Sequence, residues 1–124
     1  LKNTEGSFVT NYIINNNRLL LEIDKQVRQI NRDTINPEIP ELKQHDLNPI
    51  IKLVAKARAA YVKEVFDIAI MNDEDDSMPS KDQIRHLKVL RESYDELLKA
   101  AHAVEAAIEK GYLDVQRIPG KEEE

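Results

Sequence analysis

Four consecutive acids fill the start of the stretch NDEDDSMPSKDQ, residues 72–83, with Ser77, Pro79 and Ser80 close behind. An oxygen-rich loop of this length holds calcium when ligands fall at fixed positions, glycine takes the sixth place and a bidentate glutamate the twelfth. Counted from Asp73, the first, third and fifth places hold Asp73, Asp75 and Ser77, but the sixth is Met78 and the twelfth Ile84. The pattern fails where the geometry is most demanding. Acids just ahead of a helix also favour the positive end of its macrodipole, which accounts for Asp75, Asp76 and Asp82 without an ion. The stretch therefore reads as a turn.

Two further acid pairs, Glu64 with Asp67 and Glu92 with Asp95, are spaced to share one helical face, where each can grip a cation. Acidic helix pairs of this sort hold magnesium in all-α nucleotide hydrolases, the metal clamping the substrate phosphates. In an antiparallel hairpin closed near residue 76, however, the two pairs differ in level by about eight residues, roughly 12 Å. The other candidate pair, Glu38 and Glu41, lies in a proline-rich segment. His45, His86 and His102 include no two at the three- or four-residue spacing that puts ligands on one helical turn, and no HExxH or ExxH occurs. Phosphate loops and nucleophile elbows need glycines that Gly6, Gly111 and Gly120 do not supply. No catalytic, metal or cofactor residue is assigned.

Composition narrows the classes further. The chain has 124 residues, 41% hydrophobic and 33% charged, with a net charge of -5 and no cysteine. That length suits one domain, and the aliphatic content separates it from disordered chains. Zero cysteine excludes disulfides and thiolate metal sites. No apolar run approaches the roughly 20 residues that span a bilayer, and no basic-then-apolar leader opens the sequence, so a cytoplasmic protein without a membrane partner is expected. The acidic balance argues against nucleic acid. Lys52, Lys56 and Lys63 form a short basic strip, but no aromatic interleaves with it.

Three helical segments must position whatever these residues do. Helix 1 is expected over 8–31, where Phe8, Val9, Tyr12, Ile13, Leu19, Leu20, Ile23, Val27 and Ile30 share one broad face. Ser7 or Thr10 is available as its N-cap, and Asn15, Asn16 and Asn17 threaten a break. Pro37, Pro40 and Pro49 make the following stretch a long connection, with a short helical turn able to begin at Pro40. Helix 2 is expected over 49–71, its apolar residues covering more than half the circumference. Helix 3 carries the clearest stripe: Leu87, Leu90, Tyr94, Leu97, Ala101, Val104 and Ile108 alternate by three and four, as in a coiled-coil seam. Ser80 with Gln83 forms a capping box ahead of it, and Gly111 supplies the left-handed stop. Beyond, Tyr112, Leu113, Val115 and Ile118 are able to pack back.

The fold expected is an all-α antiparallel three-helix bundle with a long proline-rich connection between helices 1 and 2. One domain spans 1–118, followed by an acidic, frayed tail at 119–124. Asn16, Arg58 and Glu105 project into or beside apolar faces. A buried guanidinium demands a partner, so Arg58 is expected beside Glu105 or Asp24, in an ion pair fixing helix register; the alternatives are a stem laid along the core edge with its head in water, and an anchor for an anionic ligand or a partner's carboxylate. The function expected is non-enzymatic: a protein-protein interaction or assembly domain, self-associating through helix 1 or the surplus apolar arc of helix 2. A metal-dependent nucleotide hydrolase and a regulatory module with weak nucleic-acid binding are the alternatives.

Overall fold

The computed structural model describes residues 2–39 and 41–116, with side chains from residue 14 onward. Helix α1 (Lys2–Ile35), helix α2 (Asn48–Asp75) and helix α3 (Lys81–Glu109) succeed one another, with 3-10 turns at Asn36–Glu38 and Gln44–Leu47 between the first two. The chain is all-α, and no helix among the described residues is long and apolar enough to cross a membrane. The stripe residues Phe8, Val9, Tyr12 and Ile13 fall outside the described side chains. Pro40, Ile118 and the tail at 119–124 lie outside the described residues.

Helix α1 starts well before residue 8, so Ser7 and Thr10 lie inside it, not at its N-cap. It runs unbroken through the asparagine triplet. Asparagine costs at most about 0.7 kcal/mol per residue relative to alanine, so three of them weaken a long helix without breaking it. The helix continues past Asn31 to Ile35 because the restriction imposed by Pro37 falls on Asn36. Helix α2 likewise extends four residues beyond Met71, to Asp75. It stops where Asp76 takes the left-handed conformation, φ 51°, ψ 46°, which a short polar side chain tolerates.

The α2/α3 turn is stitched by hydrogen bonds. Asn72 Nδ2 donates to the Ile68 carbonyl at 2.8 Å and to Gln83 Oε1 at 3.2 Å, and Ser77 Oγ donates to Asn72 Oδ1 at 2.9 Å. Ser80 Oγ accepts from the Gln83 amide at 3.1 Å while Gln83 Oε1 accepts from the Ser80 amide at 2.8 Å, the reciprocal capping box. The opening acidic stretch is thus a helix stop followed by a helix start. From this turn α2 and α3 run back antiparallel along a seam that includes Val54, Tyr61 and Ile68 on one side and Leu87, Tyr94 and Ala101 on the other.

At the open end, α3 terminates in a Schellman motif. Gly111 has φ +78°, its amide donates to the Ile108 carbonyl at 3.1 Å, and the Tyr112 amide reaches the Ala107 carbonyl at 2.8 Å. The chain then folds back: Leu113 is only 3% exposed, and Gln116 forms a parallel bridge with Lys43, held by Gln44 N–H to the Gln116 carbonyl at 3.0 Å and Gln116 N–H to the Leu42 carbonyl at 2.9 Å. Leu113, Val54 and Ile68 are the buried hydrophobic residues among those described.

The antiparallel arrangement expected for three helices holds for α2 and α3. Helix α1, among the described residues, meets this hairpin through its last turn and packs along neither partner. The cause lies at the junction. Arg32 and Asn36 bind the turn that follows α3, which holds the last turn of α1 at the open end of the hairpin and not beside the α2/α3 seam.

Candidate interaction surface

Helix α2 carries two apolar stripes, and α3 covers one of them. The second runs through Ile51, Ala55, Arg58, Val62, Val65 and Ala69, stepping by four and three like the side of a coiled coil, and all six are exposed. Phe66, 63% exposed, flanks it. Helix α1 carries a comparable stripe in Leu20, Ile23, Val27 and Ile30, again stepping by three and four and again exposed. Asn16 continues that line one step toward the N-terminus. Neither stripe is covered among the described residues.

Between the N-terminal half of α2 and the C-terminal half of α3 the second stripe opens into a groove of about 800 Å³. Val54, Ile51 and Val104 contribute apolar lining, and Arg58, His102 and Glu105 supply the polar groups. Arg58 is held by a specific device. Its Nε donates to the Tyr94 hydroxyl at 3.1 Å, its guanidinium carbon lies 5.3 Å from the Tyr94 ring centroid, and Tyr94 stacks on Tyr61 with centroids 6.3 Å apart. The aromatic face and hydroxyl hold the guanidinium at the groove. Its terminal nitrogens have no hydrogen-bond partner among the described residues.

A polar clasp closes the junction of α1 with the hairpin. Arg32 Nη1 donates to the Gly111 carbonyl and to Asp114 Oδ1, each at 2.9 Å, and Nη2 donates to Asp114 Oδ2, a bidentate pair. The Asp114 amide donates to Asn36 Oδ1 at 3.1 Å. The hydrogen bond from Arg32 holds the Asp114 carboxyl below the ordinary aspartate range, and that same bond pushes the Arg32 guanidinium further toward its charged form.

The residues singled out in the sequence are dispersed. Asn16, Asp24, Arg58 and Glu105 are all exposed in the single chain. Arg58 pairs with neither Glu105 nor Asp24. The hairpin turn sets Arg58 level with Tyr94, leaving Glu105 eleven residues further along α3, roughly 16 Å away at 1.5 Å per residue. The two line the same groove at different levels. Asp24 instead accepts from Arg28 Nε on its own helix at 3.0 Å.

Three acids of the two pairs likewise face other side chains. Glu64 faces His86 Nε2 at 3.6 Å, Asp67 accepts from Lys63 Nζ at 2.7 Å, and Glu92 lies 3.8 Å from Lys88 Nζ. No three His, Asp or Glu side chains converge on a cation site among the described residues. Lys63, the last residue of the basic strip, is raised in pKa by its hydrogen bond to Asp67.

Sequence reasoning did not single out Arg32 and Asp114. An arginine in the last turn of a helix and an aspartate three residues past a glycine stop are each common features, and only the fold places them together. Tyr94 was legible as a seam residue but not as the seat of Arg58. No family model, curated protein or solved structure matches this chain.

Proposed function

We propose that this protein is a non-enzymatic assembly domain that associates with copies of itself through the uncovered stripes of α1 and α2. The supporting observation is surface area. A compact monomer of 14.3 kDa exposes about 6,800 Å², whereas this chain exposes 10493 Å². The surplus of about 3,700 Å² per chain, about 7,400 Å² for two, exceeds the roughly 2,000–5,000 Å² in total that obligate homodimers commonly hide, so there is surface enough for such an interface. Its composition fits that use, because Leu19, Leu20, Leu21, Ile30, Ile51 and Phe66 are each more than half exposed. Patches of this extent on a soluble chain mark interaction sites.

Sedimentation equilibrium over a range of concentrations tests the proposal. A reversible dimer or higher oligomer of this chain alone is the expected result, and a strict monomer at the highest concentration rejects it. Polar groups play a different part here from catalysis: the clasp sets where α1 points, and Tyr94 sets where Arg58 points.

A further inference from the structure

Resting on the self-association proposed above, we infer that the α2 stripe of each copy is covered by α1 of the second copy, so that the two chains exchange their first helices. Three observations lead there. The hairpin has a helix-spaced apolar stripe from Ile51 to Ala69 with no helix on it. Its own α1 has a helix-spaced stripe with nothing on it among the described residues, and its last turn is fixed by Arg32, Asp114 and Gly111 at the hairpin's open end. One two-fold axis at the open ends satisfies both stripes at once, because each α1, which packs along neither helix of its own hairpin, then lies along its partner's.

The junction also fixes the register. Ile35 closes α1 and Asn48 opens α2 at the same end of the hairpin. With an antiparallel α1 from the second copy set level at that point, Leu20, fifteen residues back, meets Val62, fourteen residues on, and Asp24, eleven back, meets Arg58, ten on. The apolar steps therefore fall on apolar steps. The one charged residue of the α2 stripe, whose terminal nitrogens lack a hydrogen-bond partner among the described residues, falls beside a carboxylate. The three-helix packing that the sequence calls for is completed between chains.

The absence of cysteine makes a direct test available. Leu20→Cys and Val62→Cys are each placed singly in the full chain, at positions 63% and 46% exposed, and treated with a short bis-maleimide cross-linker alone and as a mixture. The expected result is cross-linked dimer in the mixture and little in either variant alone, because like positions lie far from the axis on opposite sides. Cross-linking of Leu20→Cys with itself would show α1 pairing with α1, that of Val62→Cys with itself would show α2 pairing with α2, and either overturns the exchange while leaving self-association standing. A dimer by sedimentation that cross-links in no sample overturns it too. A monomer by sedimentation removes the parent proposal instead.

Discussion

Replacing Leu20 by alanine gives the most direct quantitative test of the α1 stripe. The change deletes three carbons, and burial stabilises by about 0.8 kcal/mol per carbon. Leu20 is 63% exposed in the single chain, so association can hide only that fraction, about 1.5 kcal/mol per copy. A two-fold dimer contains the site twice, which raises the loss to about 3 kcal/mol and predicts a dissociation constant weakened by roughly two orders of magnitude. Sedimentation equilibrium measures the shift, with Val89→Ala as control. Val89 is 57% exposed on α3 but lies on neither stripe, so its truncation should leave association within about twofold. Alanine is also the better helix former, so Leu20→Ala should leave the helix content of the single chain intact. A dissociation constant unchanged by Leu20→Ala, or weakened as much by Val89→Ala, would refute the assignment of α1 to an interface.

Two other expectations concern the framework. Arg32 holds the Asp114 carboxyl below its ordinary value, so the clasp's contribution to folding is whole above the unfolded aspartate pKa of about 3.9, declines as pH falls below it, and is gone once the folded carboxyl itself takes a proton. Spin-label distances between α1 and α3 should accordingly hold from neutral pH down past that value and spread only below it. Asp114→Asn should spread them already at neutral pH, and distances as narrow as in the parent would show that the clasp does not position α1. Ser80→Ala removes the acceptor of the α3 capping box and should cost about 1 kcal/mol in chemical denaturation, with no effect on association; a cost near zero would mean that Gln83 and Asn72 hold the turn without it.

What could be read from the sequence was whatever depends on neighbours along the chain. The stripe from Leu87 to Val104, the Ser80 cap and the Gly111 stop are local patterns, and each appears where its chemistry places it. The acidic stretch was legible only in part: 76–80 form the turn, but Asp73, Glu74 and Asp75 lie in the last turn of α2 and not ahead of α3. The helix ends were less legible because the restriction of Pro37 falls on Asn36, so α1 runs on to Ile35, and α2 runs on until Asp76 turns left-handed. Level across a hairpin was harder still. Arg58 falls beside Tyr94, and an error of a few turns in the assumed pairing sends it to Glu105 instead.

The placement of α1 was the least legible feature, and the reason bears on function. Periodicity shows that a helix face must be covered but not which molecule covers it, because the same aliphatic seam forms within a chain or between chains. Here the decision rests on a few polar atoms: the Arg32 guanidinium, the Asp114 carboxylate, the Gly111 carbonyl and the Asn36 amide oxygen. Those bonds hold the last turn of α1 to the open end of the hairpin, while the aliphatic residues on both elements set how strongly the uncovered faces favour burial. In the proposed assembly the clasp fixes direction and the stripes provide the driving force. A chain built this way has a three-helix pattern in its sequence and two packed helices among the described residues of its single copy; in the proposed assembly a second copy fills the third position.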